Sequence, residues 1–298
     1  MHRVFVTGAT GFVGRAVIQA VRAEGHVVRC LVRRGSEPDL HGFEAIERVE
    51  GDVLAPPTTL EAGMAGCDTV IHLVGIIREH PARGVTFDRI HHGATLNVLT
   101  AAARAGVRRY LHMSALGTEA HARARYHKTK WAAEEAVRAS GLVWTIFRPS
   151  VIYGAGDGFI SMLARMVRRL PVVPVIGDGS QRLQPVPIEH VAAGFARAVS
   201  LETSAKQTYA IAGADVVSIH ELLALIATAL HRRVRTISVP LGLMRPMAQA
   251  FHRLPSFPVT PDQLLMLEED NTGDARRFYE TFGLTPVPLA RGLGDMFH

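Results

Sequence analysis

Short apolar runs alternate with helical periods through the first half of the chain. Residues 4–7, 27–32, 69–74, 110–114 and 143–147 are apolar runs of strand length. Between them, residues 14–24, 87–105 and 125–139 carry helical spacing and stop at Gly25, Gly106 and Ser140-Gly141. A shorter pattern surrounds residues 60–64. The runs are continuously apolar rather than alternating, which is what strands buried on both faces require. Strands of this length interleaved with helices predict an α/β fold, a Rossmann-type doubly wound parallel sheet with helices on both faces.

The texture changes after Arg148-Pro149. Pro171, Pro174, Pro185 and Pro187 predict short pieces around residues 160–170, and helical periods return at 190–200 and 219–229. Residues 1–150 therefore read as a dinucleotide-binding domain. Residues 151–298 read as a smaller substrate-side region, partly interleaved with the first. Residues 240–258 are apolar with interspersed basic groups. They fit a core-packing helix pair broken by Pro246, a lid over a hydrophobic substrate, or a segment lying on an anionic membrane surface.

Composition narrows the function classes. Apolar residues make up 48% of 298, ordinary for a globular protein. The net charge is +6, and of the 33 basic residues all but Lys128, Lys130 and Lys206 are Arg. They are scattered, without the aromatic interleaving of a nucleic-acid surface, so an anionic small molecule is the more economical partner. Cys30 and Cys67 make no disulfide framework, and no metal-ligand spacing is present. No signal-peptide core and no apolar run of about 18 residues occurs, so a cytoplasmic location is expected.

The strongest local pattern is Thr7-Gly8-Ala9-Thr10-Gly11-Phe12-Val13-Gly14, between the first strand and the first helix. Gly8 permits the tight turn, Gly11 lets backbone approach a pyrophosphate, and Gly14 lets the helix pack close to the strand. The helix N-terminus then offers free N–H groups to phosphate. An acidic residue about 20 positions on would select a ribose hydroxyl. The second strand instead ends at Arg33-Arg34, with Glu37 too late. Two guanidinium groups suit a 2′-phosphate, so NADP(H) is expected over NAD(H), against the reading of two solvated surface arginines. Asp52 and Val53, near the adenine, and Leu73, Val74 and Gly75, under the cofactor, complete the expected cradle.

Tyr126 and Lys130 stand at i and i+4 on one helix face. An ammonium beside a phenol is expected to lower the phenol pKa and to equip it for proton transfer during hydride transfer. A surface Tyr packed on a Lys stem is the structural alternative.

Taken together, Thr7-Gly-x-x-Gly-x-x-Gly14, Asp52, Tyr126-x-x-x-Lys130 and Arg148-Pro149-Ser150-x-x-Tyr153-Gly154 resemble the extended or atypical branch of the short-chain dehydrogenase/reductase superfamily. The segment from Gly177 to Arg182 resembles the region where extended members hold substrate. Met113-Ser114-Ala115-Leu116-Gly117 and the stretch from Phe147 to Phe159 look most like bacterial relatives of the NADPH-binding accessory subunit of respiratory complex I, which are often labelled NAD-dependent epimerase/dehydratase. The resemblance implies an NADP(H)-dependent oxidoreductase or epimerase acting on a small molecule. In it Tyr126 is the acid/base, Lys130 holds the ribose, and Pro149 and Ser150 flank the nicotinamide. It departs at two places. Ala115 occupies the position of the third catalytic hydroxyl, leaving Ser114 one residue early, and His91 stands where a helix Asn is usual. Those departures, with the complex I resemblance, support an alternative, a non-catalytic NADPH-binding module associated with a membrane or respiratory assembly. The segment from Gly177 to Arg182 supports a second, a sugar-nucleotide epimerase.

Overall fold

The computed structural model describes residues 1–36, 40, 42–43, 46–251 and 259–297. Glu37 and residues 252–258 thus lie outside the described residues. The chain divides into two compact units, broken first at Pro149/Ser150. The first unit comprises residues 1–149 and takes back 188–210 and 276–284; the second holds 150–187, 211–275 and 285–298.

The first unit is built on a seven-stranded sheet. Its strands are β1 (Arg3–Thr7), β2 (Val27–Val32), β3 (Glu47–Glu50), β4 (Thr69–His72), β5 (Arg109–Met113), β6 (Val143–Pro149) and the edge strand Gln207–Ile211. The order runs edge strand, β6, β5, β4, β1, β2, β3, and the five pairs from β6 to β3 are parallel. Helices α1 (Phe12–Ala23), α2 (Pro57–Met64), α3 (Ala94–Arg104) and α4 (Arg125–Ala139) make the crossovers. This is a Rossmann-type sheet. Strand order reverses between β1 and β4, so their carboxyl ends open the crevice where ligands of such sheets bind.

Helix α1 buries Gly14, Val17, Ile18 and Val21, the i, i+3, i+4, i+7 stripe of an amphipathic helix. On the other face of the sheet, Phe5, Leu31, Val70, Tyr110 and Ile146 share a core with Leu60 of α2, Val98 of α3 and Val137 of α4. β3 escapes sequence reading because Glu47-Arg48-Val49-Glu50 has one apolar residue. It forms at the sheet edge, where Arg29 of β2 reaches Glu47 across the pair at 2.6 Å. Residues 88–93 form one π-helical stretch leading into α3, in place of the uniform helix that the spacing predicts.

In the second unit the predicted short pieces around residues 160–170 are one helix, Phe159–Arg169. It buries Ile160, Leu163, Ala164 and Val167, while Pro171 and Pro174 fall beyond its end. Residues 240–251 hold the helix Leu241–Phe251 with Pro246 inside it. Pro246 removes one bond, to the exposed Gly242, whose carbonyl water can satisfy. No helix among the described residues is long and apolar enough to cross a membrane.

Candidate active site

β1 delivers Thr7 to a turn on Gly8, whose φ is +76°. A Cβ there would stand 3.1 Å from the Leu73 carbonyl carbon and 3.2 Å from the Val74 nitrogen. The Gly11 N–H donates to Gly8 O at 3.1 Å, and Gly11 caps α1 without any side-chain hydrogen bond. A Cβ on Gly14 would be driven to 2.2 Å from Gly8 O and 2.7 Å from Ala9 O. The three glycines are therefore explained by closure of the turn onto β4 and α1. The first turn of α1 carries no acidic residue and no side-chain cap, so its N–H groups are available to an anion.

A cleft of about 480 Å³ starts at this turn. Its lining includes Gly8, Thr10 and Gly11, then Leu31 of β2 and Arg33 just past it, Asp52 and Val53 beyond β3, and Leu73, Val74 and Gly75 beyond β4. These are cradle residues that the sequence places far apart. Glycine backbone beside a helix N-terminus and a guanidinium in the same cleft fit the phosphates of a dinucleotide. Arg34 is exposed and is not part of the lining, and Thr7, Phe12 and Val13 are likewise absent from it. Thr7 is fully buried, its hydroxyl 2.7 Å from His72 Nδ1, so its side chain serves the sheet. Asp52 accepts the Leu54 N–H at 2.8 Å, shaping its own turn.

α4 supplies the chemical pair. Lys130 is 2% exposed, and its ammonium donates to Met113 O at the end of β5, 3.0 Å away. A Cβ on Gly75 would approach Lys130 Nζ to 3.1 Å, so Gly75 makes room for the amine as well as lining the cleft. Burial lowers the Lys130 pKa to about 8, against the opposing pull of Glu134. Tyr126 lies one turn earlier, its ring edge-on to Phe87 and His91. Here the structure corrects an expectation. Burial pushes the Tyr126 phenol up to about 12, where the nearby amine was expected to lower it. The cost of a buried phenolate is the dominant effect, and the neighbouring amine does not offset it.

His91, standing where a helix Asn is usual, is buried. It is 1% exposed, with Nδ1 2.9 Å from Thr129 Oγ1 and Nε2 3.1 Å from the Ile76 N–H. Thr129 Oγ1 in turn donates to Tyr126 O at 3.0 Å. Nε2 also lies 3.0 Å from Ile76 O, so the ring either donates Nδ1–H to Thr129 and accepts the Ile76 N–H, or donates Nε2–H to the Ile76 carbonyl; both tautomers tie it to the same two partners. Burial and the Lys130 charge hold the ring neutral down to about pH 2. His91 thus clips the strand end beside Gly75 to α4.

Ser114 is buried, and its hydroxyl donates to Thr118 Oγ1 at 3.3 Å, while Ala115 beside it is half-buried. Pro149 ends β6 and accepts the Leu116 N–H at 3.0 Å. Ser150 belongs to the second unit, where its hydroxyl lies 2.6 Å from Asn271 Oδ1.

Sequence reading passes over Arg83 and Arg89, which also line the cleft. They sit in a segment turned by Gly84, φ +68°, and Arg89 donates to Gly84 O at 2.9 Å. No spacing rule marks them. Glu134 is missed too, although its place four residues after Lys130 was a usable signal. It is fully buried and bridged by Arg148 at 2.6 Å and Arg138 at 2.5 Å.

The chain is similar to several known proteins. The chain is 31% identical over 278 residues to the NADH dehydrogenase [ubiquinone] 1 alpha subcomplex subunit 9 of Arabidopsis thaliana, covering 89% of this chain and 68% of that protein. It is 34% identical over 190 residues to a ceramide reductase of Caulobacter vibrioides, covering 64% of this chain and 58% of that one. Its fold matches the UDP-glucose 4-epimerase of Thermotoga maritima with a TM-score of 0.79 at 18% identity, over 99% of this chain and 97% of that one. A profile described as the NAD dependent epimerase/dehydratase family matches residues 4–212, most of the chain's length, and the chain belongs to that family.

Proposed function

We propose that the protein is an NADP(H)-dependent oxidoreductase that reduces a small-molecule carbonyl, with Tyr126 as proton donor and Lys130 as its cationic neighbour. The observation that carries this reading is the buried amine. Lys130 is buried directly behind the cleft-lining Gly75, its ammonium donating to the Met113 carbonyl, one turn from a phenol. Burying an ammonium costs stability, and packing alone does not require it. The family name and the reductase relative support the same reading.

The cradle residues have separable tasks. Gly8, Gly11 and the open first turn of α1 hold the pyrophosphate. Arg33, on the cleft wall, pairs with the 2′-phosphate, with Arg34 adding charge nearby. Bound nicotinamide supplies the hydride. Lys130 anchors the ribose and places positive charge near the reacting oxygen. Tyr126 keeps its proton at neutral pH and donates it to the alkoxide that forms, which is far more basic than a phenolate. A phenol that stays protonated favours the reducing direction.

Tyr126→Phe should lower turnover of carbonyl substrates by roughly 10²–10⁴-fold while leaving NADPH affinity nearly unchanged. Unchanged turnover would remove Tyr126 from the chemistry. Titration of both coenzymes, with Arg33→Ala as control, tests the preference; tighter NADH binding would overturn it.

A second reading, a non-catalytic NADPH-binding module, draws on Ser114 and His91. The Ser114 hydroxyl is committed to Thr118, and His91 is locked between Ile76 and α4. The complex I relative is in keeping with it. Bound NADPH that resists oxidation by aldehydes, ketones and quinones alike would favour this module.

A further inference from the structure

In the second unit, Val173–Ile176 and Thr236–Val239 form a two-stranded parallel pair, with Pro174 opposite Ile237 and Val173 opposite Thr236. Along the first strand the side chains alternate. Val173 and Val175 are buried in the core with Leu222 and Ile226, whereas Val172 and Pro174 are exposed. In-register partners share a face, so Ile237, 58% exposed, stands beside Pro174. The far end of this face is covered: Ile176 and Val239 pack against Met244 and Ala248 of the helix Leu241–Phe251. The near end is open, and Leu170, just before the strand, is exposed too.

Because the pair is parallel, both chains enter it at the same end. That end is basic. Arg165, Arg168 and Arg169 close the helix before one strand, and Arg232, Arg233 and Arg235 precede the other; all six are exposed. Among the described residues none of them forms an ion pair, and Arg168 lies over the Phe297 ring. No Asp or Glu occurs in residues 158–177 or 222–261. An apolar ridge of Leu170, Val172, Pro174 and Ile237 is therefore bordered by arginines with no acidic residue in either segment to neutralise them.

We propose that this face is a docking surface for an anionic lipid bilayer, with the apolar ridge entering the interfacial region and the arginines pairing with lipid phosphates. Charge complementarity selects this occupant. A second copy of the chain would bring arginines against arginines across a two-fold interface. A nucleic acid would gain nothing from exposed Val, Leu and Ile, and the ridge has no aromatic ring for base stacking. Aliphatic side chains ringed by Arg match an interface that is apolar below and anionic above. With no spanning helix among the described residues, the association is peripheral. This inference does not depend on the catalytic reading.

The test is co-sedimentation of the 298-residue chain with phosphatidylcholine vesicles, with and without about one-third phosphatidylglycerol. Binding to the anionic vesicles only, falling as salt rises, is expected. Changing Arg168, Arg169, Arg232 and Arg233 together to Gln should weaken it roughly a hundredfold or more. Ile237→Gln, at an exposed position, should weaken it about tenfold. Unchanged thermal unfolding of both variants ties the losses to the surface. No binding to anionic vesicles at low salt, equal binding to neutral ones, variants that bind like the parent, or poly(U) displacing the protein from vesicles would each overturn the proposal.

Discussion

Lys130 is the residue at which burial, charge and chemistry meet. Its pKa of about 8 makes a pH prediction. Where protonated Lys130 is needed, kcat/KM should fall as pH rises through about 8, and the pH profile of the free enzyme reports that value. Stability carries the same signature with its own sign. An amine whose folded pKa is depressed carries its full cost below pH 8, and the cost is relieved between 8 and the ordinary value of 10.5. The parent protein should therefore gain stability across that window, on the order of 3 kcal/mol. Lys130→Met should be more stable at pH 7 by a similar amount and flat above it, as urea unfolding would show. A parallel pH dependence in both proteins would mean that Lys130 is not the group responsible. The phenol teaches the complementary lesson. A Tyr and a Lys one helical turn apart suggest a lowered pKa, yet burial pushes Tyr126 up to about 12, because desolvation acts on every buried charge regardless of its neighbours.

At the scale of elements, the glycine turn and the sheet row beneath it each predict an outcome. Gly14→Ala forces a methyl against Gly8 O and Ala9 O. It should cost about 1–3 kcal/mol and release α1 from the turn, abolishing measurable NADPH binding. Retained affinity would show that the cradle tolerates a shifted helix. Across the sheet, Thr7, His72 and His112 occupy successive in-register positions of β1, β4 and β5. The two rings stack at 5.6 Å, and neither His112 nitrogen has a hydrogen-bond partner among the described residues. Burial lowers His72 to about 3 and His112 well below its ordinary value. The unfolded chain protonates both below pH 6.5 while the folded one does not, so stability is lost as pH falls. Each buried histidine should cost about 2 kcal/mol by pH 5. His112→Phe should shrink that acid loss by one histidine's share; an unaltered difference in unfolding free energy between pH 7 and 5 would refute the assignment.

In the whole molecule later chain returns to the first unit, in keeping with the partly interleaved boundary expected near residue 150. Residues 188–210 and 276–284 belong with the first 149. Phe147 of β6 packs on Phe195, Tyr209, Phe278 and Phe282, all contributed by later chain. A fragment ending at Pro149 should therefore lack a native core and give collapsed amide proton dispersion by NMR; a well-dispersed spectrum would contradict this. Local order needed no such distant partner. Continuous apolar runs marked β1, β2, β4, β5 and β6, and Gly8, Gly11 and Gly14 marked the turn, because period and steric demand act over a few residues. The i, i+4 spacing likewise placed Tyr126 and Lys130 on one face. Tertiary structure alone decided the rest. It made an edge strand of the charged Glu47–Glu50 and a buried clip of His91. It brought Arg83 and Arg89 to the cleft, and turned Ser114 toward Thr118. It also fixed which later segments join the first unit. Burial, pKa and the pairing of remote segments depend on what the fold brings alongside a residue, and sequence spacing carries no record of that.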